Sequence, residues 1–246
     1  MTMLKDKVAI ITGSTSGIGE AIARMLSHYG VRVVINSISS VDKGNSLVND
    51  LSNSMYCQAN IASEEDCKTL IDTTIKQYGR LDFLINNAGM PGRLPSDNLN
   101  DITNELFSHT LNVNVVGTWC LIRHALPHLK KSGDGIIVNI TSCAGSDPAT
   151  VSSAIPYAVS KAALNYLTKL LAKELGPEIR VNAIAPGLII TPRTQDFTVA
   201  IEKFEKRTPL KRTGEPNDIA ELVIAIIKSN YINGEIIVAD GGFSTS

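Results

Sequence analysis

The chain has 246 residues, a formal net charge of −1 and a hydrophobic content of 43%. This length fits one large α/β domain better than two small ones, so we expect a single domain over residues 1–246. Because acidic and basic residues are evenly interleaved, the sequence offers no basic face for nucleic acid and no polybasic patch for a membrane.

Short apolar runs alternate with amphipathic stretches along the chain, which is typical of a parallel sheet covered by helices on both faces. We therefore expect a doubly wound α/β fold with a seven-stranded, mostly parallel sheet. The predicted strands are residues 8–12, 32–36, 55–58, 83–86, 136–140, 180–185 and 236–238. Apolar residues at helical spacing predict helices at residues 18–28, 64–78, 104–129, 157–175 and 216–228.

A glycine-rich turn, residues 12–19, follows the first predicted strand and opens the first predicted helix. Gly13 permits a tight turn, and Gly17 and Gly19 permit close approach of other backbone. The free N–H groups at the start of the helix could bind the phosphates of a nucleotide. The spacing differs from Gly-x-Gly-x-x-Gly, so a glycine-rich surface turn remains the alternative.

Tyr157 and Lys161 lie four residues apart, so on a helix they share a face. Lowering a tyrosine pKa from ~10 to near neutrality takes about 4 kcal/mol. One positive charge at ~4 Å supplies about that much at an effective dielectric of ~20. The pair could thus act as an acid–base catalyst at physiological pH, and an ordinary half-buried helix pair is the alternative.

Further motifs follow in a fixed order. They are Asn86-Asn87-Ala88-Gly89, Asn114 in Leu-Asn-Val-Asn, Ser142 in Asn-Ile-Thr-Ser, Pro186-Gly187 with Thr191, Arg212-Thr-Gly214, and Asp240-Gly241-Gly242. Together with the glycine turn and the Tyr157–Lys161 pair, they resemble the short-chain dehydrogenase/reductase family from end to end, and its 3-oxoacyl-[acyl-carrier-protein] reductases most. The resemblance implies a Rossmann fold and hydride transfer between a nicotinamide and a carbonyl or secondary alcohol.

The resemblance also implies residue roles. The catalytic set would be Asn114, Ser142, Tyr157 and Lys161: Ser142 would bind the carbonyl oxygen, Tyr157 protonate it, Lys161 bind the nicotinamide ribose, and Asn114 hold a water. Cofactor contacts are expected from Gly13, Ser14, Thr15, Ser16, Gly17, Ile18, Gly19, Ser37, Asn60, Ile61, Asn87, Ala88, Gly89, Tyr157, Lys161, Pro186, Gly187, Ile189 and Thr191. Substrate contacts are expected from Ser142, Cys143, Ile155, Tyr157 and Leu188. Ser142 could instead be an ordinary turn residue, and Asn114 a helix-interior amide bonded to backbone.

The end of the second predicted strand bears on cofactor choice. An acidic residue there would bind the ribose hydroxyls of NAD and repel a 2′-phosphate, but residues 36–40 include none. This favours NADP(H), and NAD(H) remains possible because no arginine replaces the acid. Ser37, Ser39 and Lys43 are the candidate phosphate partners, and Asn60 stands where the family commonly has an aspartate.

Two segments border the expected substrate site. Residues 143–155 form a loop slightly longer than we expect of the family. Residues 191–211 contain no predicted strand, and the resemblance makes them a substrate lid, whereas a charged and mobile surface helix is the alternative.

The leading expectation is an NADP(H)-preferring reductase of a 3-oxoacyl thioester. The alternatives are an NAD-dependent dehydrogenase of a sugar, steroid or hydroxy acid, and a catalytically silent nucleotide sensor. Extended-type epimerases and dehydratases are a third option, but they generally need a larger C-terminal domain than the residues after Gly187 can form. Four lysines could form a landing site for an acidic acyl carrier protein, and lysines that only solvate the surface near helix ends are the alternative. They are Lys130, Lys131, Lys169 and Lys173. The resemblance suggests a homotetramer, for which the candidate contact residues are Trp119, Leu121, Leu164, Leu167 and Leu171.

The sequence has four cysteines without metal-ligand spacing, so we expect reduced thiols in a cytoplasmic protein. His124 and His128 lie one helical turn apart, but without a third ligand nearby we expect no metal site. The apolar run near the N-terminus is too short for a signal peptide or a membrane span.

Overall fold

A computed structural model describes residues 4–91, 98–147 and 154–245. The single domain expected over residues 1–246 includes a few residues outside these ranges. Part of the expected loop 143–155 also lies outside the described residues. No helix among the described residues is both long enough and apolar enough to cross a bilayer.

Among the described residues, seven strands form one sheet, which confirms the expected architecture. They are β1 (Val8–Ile11), β2 (Arg32–Ser37), β3 (Ser54–Gln58), β4 (Phe83–Asn86), β5 (Gly135–Ile140), β6 (Ile179–Pro186) and β7 (Ile236–Ala239). Every neighbouring pair among these strands is parallel, in the order β3-β2-β1-β4-β5-β6-β7. The chain reverses its direction of winding between β1 and β4, and ligands of doubly wound sheets bind where this reversal occurs, beyond the carboxyl ends of the strands.

The helices are α1 (Gly17–His28), α2 (Val41–Asp50), α3 (Glu64–Tyr78), α4 (Asn104–Leu111), α5 (Thr118–Ser132), α6 (Ile155–Leu175), α7 (Thr198–Arg207) and α8 (Pro216–Lys228). A π-helical segment, Asn112–Gly117, joins α4 to α5, so the single helix predicted at 104–129 is one helical run with an interruption. Two helices were not predicted. α2 buries only Gly44 and Leu47, too few apolar positions for a periodic signal, and α7 lies inside the predicted lid.

The core has one layer on each face of the sheet. Alternate strand residues point to opposite faces, so Ile11 and Val33 pack in one layer while Ile10 and Val34 pack in the other. Residues of α1 and α8 cover the first layer, and residues of α3, α5 and α6 cover the second. Burial on both faces explains why the strands read as continuous apolar runs. It also holds the carboxyl ends of the strands in one rigid edge.

Candidate active site

A cleft of about 1550 Å³ opens at the carboxyl ends of the strands. Its walls are the turn after β1, the end of β2, the residues after β3, β4 and β5, the start of α6, the segment after β6, and one face of α7. Typical small-ligand pockets measure roughly 300–1000 Å³. The cleft therefore has room for a dinucleotide together with a second molecule.

The glycine turn after β1 leaves no space for side chains. At Gly17 the backbone φ is +57°, and an added Cβ would lie 3.0 Å from Thr191 Cγ2 across the cleft. An added Cβ at Gly19 would lie 2.5 Å from both Asn87 Nδ2 and Gly13 O. The turn can therefore approach a ligand with its backbone alone.

Two of the expected cofactor residues in this turn do not line the cleft. Ser14 is fully buried, where its hydroxyl donates to Ile11 O at 2.7 Å and accepts from Asn36 N at 3.0 Å. Gly19 packs against Asn87 behind the turn. Gly13, Thr15, Ser16, Gly17 and Ile18 line the cleft as expected. Ser14 and Gly19 therefore shape the turn from behind.

The segment after β4 is bonded to the glycine turn. Thr12 Oγ1 accepts hydrogen bonds from Asn87 N at 3.0 Å and Ala88 N at 2.9 Å. Asn87 Nδ2 in turn donates to Thr12 O at 2.9 Å and Gly13 O at 3.0 Å. These four bonds fix the spacing between the two central walls of the cleft.

The end of β2 presents hydroxyl groups to the cleft. The Ser37 hydroxyl lies 2.9 Å from the Tyr56 hydroxyl and accepts from Ser40 N at 3.1 Å. Ser39 also lines the cleft, whereas the exposed Lys43 does not. Lys43 is therefore a poor candidate for the phosphate partner that the sequence suggested.

The remaining expected cofactor residues line the same cleft. Beyond β3, Asn60 Oδ1 accepts from Ala62 N at 3.0 Å, which fixes the side chain at the cleft wall. The other lining residues from the expected set are Ile61, Asn87, Ala88, Gly89, Pro186, Gly187, Ile189 and Thr191.

Ser142, Tyr157 and Lys161 all line the cleft. Ser142 follows β5 and hydrogen-bonds the Tyr157 phenol. Lys161, one turn further along α6, is buried and donates from Nζ to Ile140 O at 2.8 Å. The arrangement places a hydroxyl, a phenol and an ammonium around one space, which is the donor set needed to bind and protonate a carbonyl oxygen.

Burial dominates the titration of this group. It raises the pKa of Tyr157 above its ordinary value, against the opposing effects of the Ser142 hydrogen bond and the Arg193 positive charge. It lowers the pKa of Lys161 from 10.5 to about 8, and Arg193 adds to that shift. The expectation that Lys161 lowers the Tyr157 pKa stays a prediction: Lys161 Nζ is bonded to Ile140 O and lies 5.5 Å from the phenol ring centroid, and the effect of burial on Tyr157 outweighs the groups that lower its pKa.

Asn114 is buried behind the cleft wall and does not line it. Its Oδ1 accepts from Met90 N at 2.7 Å, and its Nδ2 donates to Met90 O and Ser160 Oγ, both at 2.9 Å. Both polar atoms of the side chain thus have protein partners, which favours the helix-interior interpretation. Asn114 lies in the π-helical segment and braces the residues after β4 against α6.

The expected substrate residues are only partly at the cleft. Cys143 and Leu188 line it, whereas Ile155 is 40% exposed at the start of α6 and does not. The sequence interpretation missed Arg193 and the cleft-facing residues of α7. The α7 residues could have been found from their helical spacing, which is seen in Ala200, Lys203, Phe204 and Arg207.

His124 has neighbours that the sequence did not reveal. Donor atoms of Glu64, Cys120 and His124 lie within 4.8 Å of one another, and His128 is not part of this group. The exposed Glu64 is already paired with Arg123, so we assign no metal to the group.

The surface of α5 and α6 differs from the one expected for assembly. Of the apolar residues suggested by the sequence, Trp119 is exposed, Leu167 is partly buried, and Leu121, Leu164 and Leu171 are buried in the core. Other apolar side chains of this surface are exposed instead. They are Val159, Tyr166 and Leu170 of α6, together with Val116 of the π-helical segment that leads into α5.

A family profile described as Enoyl-(Acyl carrier protein) reductase matches residues 13–244. The chain belongs to the short-chain dehydrogenase/reductase family. It is accordingly an oxidoreductase that acts on CH–OH groups, and enzymes of this family use nicotinamide cofactors.

Three similar proteins illustrate the family. Ketoacyl reductase 2 of the granaticin polyketide synthase of Streptomyces violaceoruber is 45% identical, over 96% of this chain and 95% of its own length. The 7α-hydroxysteroid dehydrogenase of Escherichia coli K12 is 34% identical, over 97% of this chain and 94% of its own. A crystal structure of 3-ketoacyl-(acyl-carrier-protein) reductase from Brucella melitensis with NADH superposes with a TM-score of 0.91 at 30% identity, covering 98% and 99% of the two chains.

Proposed function

We propose that this protein is an NADP(H)-favouring reductase of 3-oxoacyl thioesters. The observation that carries the proposal is the convergence of Ser142, Tyr157 and Lys161 on the same cleft that the glycine turn lines. The relative named as a polyketide ketoacyl reductase supports the choice of substrate class.

The cleft fits a nicotinamide dinucleotide. Gly17 presents bare backbone where a Cβ would meet Thr191, and the N-terminus of α1 directs free N–H groups toward bound phosphates. When bound, the nicotinamide supplies hydride to the carbonyl carbon or accepts it from the alcohol carbon. Contacts from the cleft-lining residues of the expected cofactor set are part of this proposal.

Residues of the chain would bind and protonate the carbonyl oxygen of the substrate. Ser142 donates a hydrogen bond to that oxygen, and the Tyr157 hydroxyl gives it a proton as negative charge develops there. Lys161 keeps a positive charge close by, which stabilises the phenolate left on Tyr157. Asn114 acts indirectly by bracing the residues after β4 against α6.

The preference for NADP(H) rests on the end of β2. A 2′-phosphate there would meet the hydroxyls of Ser37 and Ser39 and no lining carboxylate among the described residues. No arginine occurs within residues 36–40 in place of an acidic residue, which leaves room for NAD(H) as well. A second candidate function, oxidation of a steroid or other secondary alcohol with NAD, follows from the hydroxysteroid dehydrogenase relative.

We also propose a homotetramer that covers the exposed apolar face of α5 and α6, in a reducing cytoplasm suited to four buried cysteine thiols. Lys130, Lys131, Lys169 and Lys173 lie near the ends of these helices that precede β5 and β6, at the sheet edge opposite the cleft. These lysines are the proposed docking site for an acyl carrier protein, which would serve the cleft of another copy in the tetramer.

The direct test is a substrate panel followed by the absorbance of NADPH and NADH. The panel contains acetoacetyl thioesters, a 7-oxosteroid, keto acids and keto sugars, and mass spectrometry identifies the product. The proposal expects a 3-hydroxyacyl thioester with the highest kcat/KM. Turnover confined to steroids or sugars would support the second candidate, and cofactor binding without turnover of any member would support a nucleotide sensor.

A further inference from the structure

The lid segment, residues 191–211, turns a mixed apolar and cationic face toward the cleft. Four residues of α7 at spacings of three and four share one helix face and line the cleft. They are Ala200, Lys203, Phe204 and Arg207. Glu202 and Glu205, the acidic residues of α7, are not among the lining residues. The helix therefore directs positive charge inward and its negative charge elsewhere.

Aromatic packing fixes this orientation of α7. Phe204 is buried and stacks on Phe243, with ring centroids 4.6 Å apart and ring planes within 5° of parallel. The Arg207 guanidinium lies 4.3 Å from the centroid of the same Phe243 ring. Rotating the helix would break both contacts, so Lys203 and Arg207 stay on the cleft side.

Arg193 adds a third cation at the start of the lid. Arg193 Nη1 donates a hydrogen bond to Gly89 O, in the segment after β4, at 3.3 Å. A Cβ placed on Gly89 would lie 3.5 Å from Lys161 Nζ, so the guanidinium reaches the neighbourhood of the catalytic group. A hydrogen bond from Thr191 N to Thr194 Oγ1, at 2.9 Å, holds the turn that carries Arg193.

Charge in the cleft is one-sided. The whole chain has 24 acidic and 23 basic residues, yet none of the described residues that line the cleft is an aspartate or a glutamate. Lys203 and Arg207 lie on α7, whereas the pyrophosphate of a dinucleotide would meet the glycine turn and a 2′-phosphate the end of β2. A low-dielectric cleft with one sign of charge concentrates ligands of the other sign. The excess positive charge therefore lies on the lid side of the cleft.

We propose that Arg193, Lys203 and Arg207 recognise an anionic group of the substrate, a carboxylate or a phosphate attached at a distance from the reacting carbonyl. This inference rests on the proposed function and specifies its substrate. Two sources share the chemistry: the phosphate of a phosphopantetheine thioester and the carboxylate of a free keto acid. Both present oxygen acceptors to a planar guanidinium and to an ammonium.

The experiment compares substrates that differ only in the charged group. One pair is acetoacetyl-phosphopantetheine and acetoacetyl-pantetheine, and the other is levulinate and its methyl ester. The readout is the ratio of kcat/KM for the charged member over the neutral member, measured in the parent, in Arg193→Gln and in the double variant Lys203→Gln, Arg207→Gln. Lys206→Gln is the matched control, because Lys206 is an exposed lysine of the same helix that does not line the cleft.

The parent ratio is expected to exceed ten for at least one pair, and that pair identifies the phosphate or the carboxylate as the recognised group. Charge-assisted hydrogen bonds of the usual strength predict a fall of roughly tenfold or more in each cleft variant, and a change within twofold in Lys206→Gln. Added salt should reduce the parent ratio.

Three results would overturn the inference. A parent ratio near one for both pairs would do so while leaving the reductase function intact. A rise in the NADPH dissociation constant of the cleft variants, measured by fluorescence, with an unchanged ratio would assign the cations to the cofactor. If neither pair is reduced, calorimetry measures the dissociation constants of the corresponding hydroxy compounds. Equal affinity for the charged and the neutral member of each pair would then refute the inference.

Discussion

Replacing Gly17 with alanine should damage the cofactor site more than the fold. The backbone φ of +57° disfavours any side chain, at a cost of about 1–2 kcal/mol. The new Cβ would also lie 3.0 Å from Thr191 Cγ2, so either the glycine turn or the start of the lid must shift by a few tenths of an ångström. We expect the free energy of unfolding to fall by about 1–2 kcal/mol and the NADPH dissociation constant to rise about tenfold, equivalent to ~1.4 kcal/mol.

Gly79→Ala separates the two effects. Gly79 ends α3 with φ +74°, and an added Cβ there meets nothing within 4 Å. Urea denaturation should show a similar loss of stability in both variants, whereas fluorescence titration with NADPH should show weaker binding only in Gly17→Ala. Equal cofactor affinity in the two variants would refute the argument that the Gly17–Thr191 approach shapes the cofactor site.

Three further predictions address cofactor choice, the buried lysine and assembly. Ser37→Asp should shift the ratio of kcat/KM for NADPH over NADH toward NADH by roughly ten- to a thousandfold, since a carboxylate ~4 Å from a 2′-phosphate repels it by several kcal/mol before screening. The Tyr56 hydroxyl can hold that carboxylate in place, and an unchanged ratio would contradict the assignment of Ser37 to cofactor choice. Because the pKa of Lys161 falls from 10.5 to about 8 on folding, the unfolded chain binds more protons between these values, and parent stability relative to Lys161→Met should rise by roughly 3 kcal/mol from pH 8 to 10.5. A difference in urea stability that does not vary with pH would count against it. Trp119→Lys with Leu170→Lys should dissociate the assembly in light scattering, and a monomeric parent at micromolar concentration would refute the tetramer.

The fold could be predicted from sequence because its signals are local and repeated. β1, β2, β4, β5 and β6 are almost wholly buried and therefore read as apolar runs. Helix α3 begins after the capping Ser63 and ends at Gly79, and α8 begins with Pro216, as the usual start and stop signals predict. α2 escaped prediction because it buries few residues. The π-helical segment 112–117 has no periodic signature distinct from the helices that it joins.

The candidate site was predictable where a motif fixes the backbone and less so where packing decides. Gly17 and Tyr157 lie at the cleft as expected, because each sits at a turn or helix start next to a strand end. Ser14 and Asn114 occupy motif positions, yet their side chains turn away from the cleft and bond to neighbouring elements. Arg193 reaches Gly89, which is far away in sequence, and no local pattern encodes such a contact.

The most direct test of the account is the turnover of Tyr157→Phe. This change removes the proposed proton donor and leaves the ring in place, so kcat for an acetoacetyl thioester should fall by roughly two to four orders of magnitude. The dissociation constant for NADPH should stay within a few fold of the parent. Tyr166→Phe is the matched control, because Tyr166 lies on the same helix with 65% of its surface exposed, and it should retain full activity. A kcat for Tyr157→Phe within tenfold of the parent would contradict the assignment of Tyr157 as the acid.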